Sequence, residues 1–448
     1  GLGVTVRFTP GVEPLTMADE VDLLVVTPED FSESLQPLVE HKDSYGVATR
    51  LVTLEEVYGG VFFEVRGRDE AERVKYFIKD AVEEWGVRYV MLVGGRNGGL
   101  LEEKWWCPVR YSHLDDNSNF ESSYLSDLYF GDLYKYDGED IVFADWDSNG
   151  NGVFAEWRMM SKDILDLYPD VYVGRLACRN SYEVEVMVDK IITYETTAAG
   201  QSWFNTFVGV GGDTYPSEDD PYYEGELATQ AAFDYLEGFE FVPLWTSNGE
   251  LTGPQDVIDA VSRGCGFLHF SGHGNPMAWS NHPPHDEETW IDGLGVGDMR
   301  KLSNDGMYPV CIVGGCHNNQ FNVSLLNLLK IYEGFEQWKH YIWYGEMSPE
   351  SWGWWLARKT GGGSIATIAN TGLGYGQPGE SCLERRGRYM ELMFFRSYAE
   401  GKTVLGETHG SDLTYYLHKF PPMEDRIDCK IVQQWALLGD PSLQIGGY

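Results

Sequence analysis

What most constrains this chain is a repeated alternation between short apolar runs and longer amphipathic stretches. Apolar runs occur at 22–26, 89–95, 171–176, 207–212, 266–270, 308–314 and 364–369. Each is too short for a self-sufficient helix and lacks the polar alternation of a half-exposed strand, so each reads as a buried parallel strand. Between them, 68–85 places Ala71, Val74, Phe77, Ile78, Ala81, Val82 and Trp85 on one helical stripe. The stretch 181–195 does the same with Val184, Met187, Val188, Ile191 and Ile192. Further helices are predicted at 224–238, 255–264, 351–359 and 384–399. This alternation specifies an α/β fold with helices on both faces of mostly parallel sheets. The stretch 101–170, rich in Asp, Ser, Asn, Gly and Tyr, interrupts the pattern and reads as an elaborated loop region. A boundary near 200 predicts two α/β subdomains, 1–200 and 201–448.

Charge narrows the partners. Lys and Arg number 33 against 70 Asp and Glu, a net charge of −37. Attraction to nucleic acid or anionic lipid needs a basic face, so neither is expected as a partner. The acidity suits a secreted protein in a saline, extracellular medium. No apolar run reaches the roughly 18 residues of a membrane-spanning helix. The chain begins at Gly1 without Met or a signal peptide, and reads as a processed or trimmed form. Seven cysteines in 448 residues, with no CxxC pair, exclude a disulfide scaffold or a zinc ribbon. Cys265 and Cys311 read as core residues, and Cys107, Cys178, Cys382 and Cys429 as structural, either free or paired in disulfides.

Two motifs carry chemistry. The stretch 145–156 matches the calcium-loop pattern D-x-[DN]-x-[DN]-G-x5-E in full. Asp145, Asp147 and Asn149 would give side-chain oxygens, Asn151 its carbonyl and Glu156 two carboxylate oxygens, with Gly150 at the sharp turn. Its flanks are strand-like, so a structural Ca²⁺ loop without EF-hand helices is expected; an acidic surface turn is the competing reading. The second motif is a pair of strand ends. One apolar run leads into Ser271-Gly272-His273-Gly274, the other into Gly314-Gly315-Cys316. Chemistry in parallel sheets gathers beyond the carboxyl ends of strands. A His and a Cys on neighbouring strand ends put a base beside a thiol, and the flanking glycines let backbone N–H groups approach a developing oxyanion.

These segments, 269–279 (HFSGHGNPMAW) and 310–321 (VCIVGGCHNNQF), resemble the two catalytic motifs of the gingipain family of cysteine peptidases, in the caspase-like clan. The stretches 22–28 (DLLVVTP), 38–46 (LVEHKDSYG), 89–96 (YVMLVGGR), 170–175 (DVYVGR) and 438–443 (LGDPSL) follow the same style, so the resemblance spans most of the chain. It implies two caspase-like subdomains, with His273 as general base and acid and Cys316 as the nucleophile that forms a thioester. The amides of Gly274 and Cys316 would form the oxyanion hole. An acidic residue orienting the histidine is expected in the loop 211–214, where Asp213 stands; a turn or cap role is its competing reading. Cleavage after Arg or Lys would need an acid in the S1 pocket, for which Asp220 or Asp219 qualify; matching the dipole of the following helix is the alternative. Trp279 and Tyr375 are expected as pocket walls, or else as core aromatics. The loop 281–288 and the His317-Asn318-Asn319 stretch depart from the family pattern.

The leading expectation is therefore a secreted endopeptidase acting on peptide or protein substrates, with structural Ca²⁺ and no organic cofactor. A metal hydrolase built on His273, His282, His285, Asp286 and Glu287 is a weaker class, because two prolines break the spacing. A catalytically silent, calcium-stabilised peptidase-like binding or secretion-associated module is the non-enzymatic alternative. A transpeptidase would use the same thioester.

Overall fold

The apolar runs assemble into one sheet in this computed structural model, which describes residues 20–114, 121–218 and 220–448. Its ten strands are β1 (Leu23–Thr27), β2 (Thr49–Thr53), β3 (Tyr89–Val93), β4 (Tyr172–Leu176), β5 (Thr206–Gly211), β6 (Glu240–Trp245), β7 (Phe267–Ser271), β8 (Val310–Gly314), β9 (Ala366–Asn370) and β10 (Trp435–Leu438). The spatial order is β6-β5-β7-β8-β9-β10-β4-β3-β1-β2. Every pairing is parallel except β9 with β10. The two halves of the sheet thus run in opposite directions, and the carboxyl ends of β5, β7 and β8 open on one edge.

The expected halves, 1–200 and 201–448, therefore share one continuous sheet. β10, from the end of the chain, lies between them, and the boundary falls in the turn between the helix Ser181–Thr197 and β5. Seven strands coincide with the apolar runs. β2, β6 and β10 do not: the first two are sheet edges with half-exposed positions, and β10 is four residues directly after a helix. Within β5, β7 and β8 the side chains alternate faces. Val208, Val210, Leu268, Phe270, Cys311 and Val313 share one cluster with Val257, Val261 and Leu356 of the helices Pro254–Val261 and Trp352–Arg358. Phe207, Phe267, Val310 and Ile312 join the other, with Phe394 and Phe395 of the helix Arg386–Ala399. The loop region forms short hairpins, such as Tyr134–Asp137 with Asp140–Phe143. Among the described residues no helix is long and apolar enough to cross a membrane.

A buried ion cluster ties the end of the chain to this frame. Lys42 Nζ lies 2.7 Å from Glu195 Oε1 and 2.7 Å from Asp440 Oδ2, all three side chains being inaccessible. His41 Nε2 lies 2.8 Å from Glu195 Oε2. Asp440 belongs to the LGDPSL segment after β10, so the cluster clamps that segment to the helices Glu29–Ser44 and Ser181–Thr197. Burial pulls the Lys42 pKa down, but Asp440 and Glu195 outweigh it and raise it above the ordinary lysine value. Its contribution to stability is accordingly complete at neutral pH and lost only as pH climbs through the alkaline range. Lys42→Met, which strands two buried carboxylates, is expected to lower the unfolding free energy by about 3–5 kcal/mol in urea titrations at neutral pH. Arg396→Gln, which removes an exposed pair with Glu400, should cost under about 1 kcal/mol. Equal effects would contradict the clamp.

Candidate active site

The pairing register of β7 and β8 builds the site. Ser271 stands opposite Gly314, and Gly272 N donates to Gly314 O at 2.8 Å. His273 and Cys316 then follow, each two residues past its paired strand end. Both line one cavity of about 230 Å³, together with Tyr215, Tyr375, Arg388 and Glu391. The two chains meet without side chains between them: a Cβ on Gly315 would lie 3.3 Å from Gly274 Cα. The Asn318 side chain closes the remaining space, its Oδ1 lying 2.0 Å and 2.2 Å from where Cβ atoms at Gly274 and Gly315 would be. Asn318 Nδ2 donates to Asn275 O at 3.0 Å.

The turn after Cys316 is sharp. His317 has φ +57°, the left-handed region that a non-glycine residue adopts only when its surroundings enforce it. His317 N donates to Gly372 O at 2.9 Å, and Asn370 Nδ2 donates to Gly315 O at 3.0 Å. Asn319 Nδ2 reaches Thr367 O and Ala436 O, both at 3.0 Å, tying the turn to β9 and β10. From the loop region, Glu121 accepts from Leu373 N at 3.0 Å and lies 3.6 Å from His317 Nδ1. The Cys316 amide makes no backbone hydrogen bond among the described residues. Cys316 Sγ lies 3.6 Å from Gly374 O. Burial pushes the thiol pKa up to about 11.

His273 is oriented by a backbone carbonyl. Its Nε2 donates to Thr214 O at 2.8 Å, which fixes the proton on Nε2 and leaves Nδ1 as the basic nitrogen of the neutral ring. Tyr215, His282 and Trp290 surround the ring at centroid distances of 6.0, 5.7 and 5.2 Å. Burial lowers the His273 pKa below its ordinary value. Asp213, expected to do the orienting, is one residue off. It is buried, and its Oδ2 accepts from His285 N at 2.9 Å, while its N donates to His282 O at 3.0 Å. It braces the 281–285 segment against the end of β5 instead of touching the imidazole.

The other expected residues divide. Tyr375 lines the cavity. Trp279 does not: it is fully buried, packs on Phe270 at 5.1 Å and supports the floor, where a Cβ on Gly272 would lie 2.7 Å from its ring. Asp220 is absent from the lining, and its Oδ1 accepts from Tyr222 N at 2.9 Å. Asp219 lies outside the described residues. His282 and His285 are engaged through Nδ1 by Thr289 O and Ser217 O, both at 2.7 Å. No group of three His, Cys, Asp or Glu disposed to hold a metal occurs among the described residues. All seven cysteines are free.

The family model described as "Peptidase family C25" matches residues 16–446. The chain belongs to this family, the gingipain family. Gingipain R2 of Porphyromonas gingivalis is 20% identical over 449 residues, covering 98% of this chain and 47% of that protein. Gingipain R1 is 19% identical over 328 residues, covering 71% of this chain and 26% of that protein. The chain thus spans less than half the length of the curated relatives it matches. Among solved structures, the Arg-specific cysteine proteinase gingipain R superposes with a TM-score of 0.64 at 17% identity, covering 97% of this chain and 80% of that one. The complex of its pro- and mature domains gives 0.62 at 17% identity, covering 95% and 79%. The caspase-like α/β fold expected from the sequence is thereby established, and with it membership of a cysteine peptidase family.

In this C25 member the stretch 145–156 is closed by protein groups. Arg68 Nη1 pairs with Asp147 Oδ2, and its Nη2 lies 4.0 Å from Asp145 Oδ2. Asp147 Oδ1 accepts from Asn151 N at 2.9 Å. Glu156 Oε2 accepts from Asn151 Nδ2 at 2.7 Å and from Ser161 Oγ. Arg68, distant in sequence, places a positive charge beside two of the aspartates that the motif assigns to Ca²⁺. If Arg68 alone neutralises these carboxylates, thermal unfolding in excess EDTA and in excess CaCl₂ gives the same midpoint, and Arg68→Met a lower one. A midpoint that rises with CaCl₂ and falls with EDTA would instead support the structural Ca²⁺ expected from the sequence.

Proposed function

We propose that this chain is a secreted cysteine endopeptidase that hydrolyses peptide bonds through Cys316 and His273. The observation carrying this reading is the shared cavity that holds both side chains at the carboxyl ends of adjacent parallel strands. Family membership supports it, and gingipain R, whose structure shares this fold, is an Arg-specific cysteine proteinase. Secretion rests on the acidic composition and on that kinship.

Cys316 Sγ attacks the scissile carbonyl carbon while His273 Nδ1 takes the thiol proton. The developing oxyanion is met by the amides of Gly274 and Cys316. Collapse of the tetrahedral species breaks the C–N bond, and His273 returns the proton to the leaving amine. A water, deprotonated by His273, then hydrolyses the thioester. Thr214 O holds Nε2–H throughout and favours the transient imidazolium, the part a carboxylate plays in catalytic triads. With the thiol raised to about 11 and the imidazole lowered, both groups rest neutral near pH 7. The raised thiol also favours a second reading, a silent peptide-binding module.

Cys316→Ala is expected to lower kcat/KM on a diverse peptide library by at least about 10⁴-fold. His273→Ala should lower it by about 10²–10⁴-fold. Unchanged turnover in Cys316→Ala defeats the proposal; no turnover in the parent favours the silent module. The pH profile carries a further check. His273 must be neutral to accept the proton, so kcat/KM should rise through an acid limb centred below about 6.5. A limb above about 7 would contradict a neutral imidazole in the free protein.

A further inference from the structure

Arg388 is a buried cation that lines the cleft and pairs with no carboxylate among the described residues. It is 3% exposed and lines the same cavity as Cys316 and His273. It makes no ion pair among the described residues, and its Nε has no hydrogen-bond partner. Its neighbours on the same helix differ: Arg385 pairs with Asp428 at 2.6 Å and Arg386 with Asp425 at 2.9 Å. Other buried cations also have partners. Lys42 meets Glu195 and Asp440, Arg175 meets Asp127 at 2.7 Å, and Lys190 is held by four backbone carbonyls. In a chain with 70 acidic residues, a buried guanidinium without a carboxylate is conspicuous, since burying an unpaired charge is costly.

The surroundings aim Arg388 at a ligand. Its Cζ lies 5.4 Å from the Tyr215 ring. The missing Cβ of Gly376 makes room for both tips: an added Cβ would be 2.7 Å from Arg388 Nη1 and 2.3 Å from Tyr215 Oη. Two carboxylates on this side are buried, and one of them, Glu391, lines the same cavity. Glu391 Oε2 is 3.0 Å from His269 Nε2. Glu224 accepts from the amides of Thr214, Tyr215 and Gly379 at 3.2, 3.1 and 2.9 Å. At about 230 Å³ the cavity suits one substrate side chain, being below the roughly 300–1,000 Å³ of pockets that enclose a whole small molecule.

We infer that Arg388 determines specificity by receiving the carboxylate of an Asp or Glu side chain at P1, the residue whose carbonyl Cys316 attacks. The inference rests on the peptidase reading of Cys316 and deepens it. It stands against the basic P1 residue expected from the sequence, since a guanidinium lining the cavity disfavours a second cation there. A guanidinium can bind a carboxylate through two parallel N–H···O bonds, which an amide of the same shape cannot reproduce.

The test uses two readouts. In turnover assays, peptide substrates differing only in Asp, Glu, Asn, Arg or Lys at P1 are compared on the parent, Arg388→Gln and Arg388→Lys. The parent should favour Asp or Glu over Asn by about 10–100-fold in kcat/KM, the range of one charge-assisted hydrogen bond. Arg388→Gln should collapse that ratio, and Arg388→Lys, the variant that keeps the charge if Gln impairs folding, should retain part of it. In binding assays, fluorescent peptides with Asp, Asn or Arg at P1 are titrated into Cys316→Ala, which does not depend on turnover. Tighter binding of the Asp peptide, lost in Cys316→Ala/Arg388→Gln, supports the inference even if the parent cleaves nothing, in which case only the peptidase reading fails. Preference for Arg or Lys, equal binding of Asp and Asn peptides, an unchanged ratio in Arg388→Gln, or no binding of any of the three overturns it.

Discussion

The parallel pairing of β7 with β8 is the constraint on which the site depends. Phe267 through Ser271 stand opposite Val310 through Gly314 in unbroken register. A slip by one residue would turn Leu268, Phe270, Cys311 and Val313 out of their cluster, so core packing fixes the register strongly. The same register brings His273 level with Cys316. Stability and chemistry are thus coupled: apolar side chains within the strands determine where the two polar side chains beyond them emerge.

What lies past the strand ends is held by polar contacts that apolar packing cannot supply. Thr214 O fixes the His273 tautomer, Asn370 Nδ2 holds the Gly315 carbonyl, and Asn319 anchors the nucleophile turn to β9 and β10. The single antiparallel pairing, β9 with β10, matters here as well. It lets the end of the chain sit at the centre of the sheet, where Asp440 reaches Lys42 and Glu195. The first half of the chain therefore supports the site through a shared sheet and a buried ion cluster, and Glu121 adds a direct contact with the nucleophile turn.

The core of this arrangement was readable from residue order. Short apolar runs mark β1, β3–β5 and β7–β9, and glycines around His273 and Cys316 mark the strand ends. Edge strands β2 and β6 escaped because one side of each is half exposed, and β10 because four residues following a helix carry no period of their own. The partner of His273 was missed by one position because a backbone carbonyl has no sequence signature, whereas Asp213 beside it does. Arg388 was missed for a related reason: an arginine on an amphipathic helix looks like any other until its lack of a carboxylate is seen in three dimensions. The loop at 145–156 shows the converse, a motif complete in sequence whose acidic groups find Arg68, a residue 77 positions before Asp145.

The central claim is that Cys316 is the reactive thiol and that His273 makes it so. Covalent labelling by a peptidyl acyloxymethyl ketone, with the site read by peptide mass mapping, tests it most directly. The account predicts stoichiometric thioether formation at Cys316 alone among the seven cysteines, with labelling lost in His273→Ala. Labelling at another cysteine, or undiminished labelling of Cys316 in His273→Ala, would contradict it.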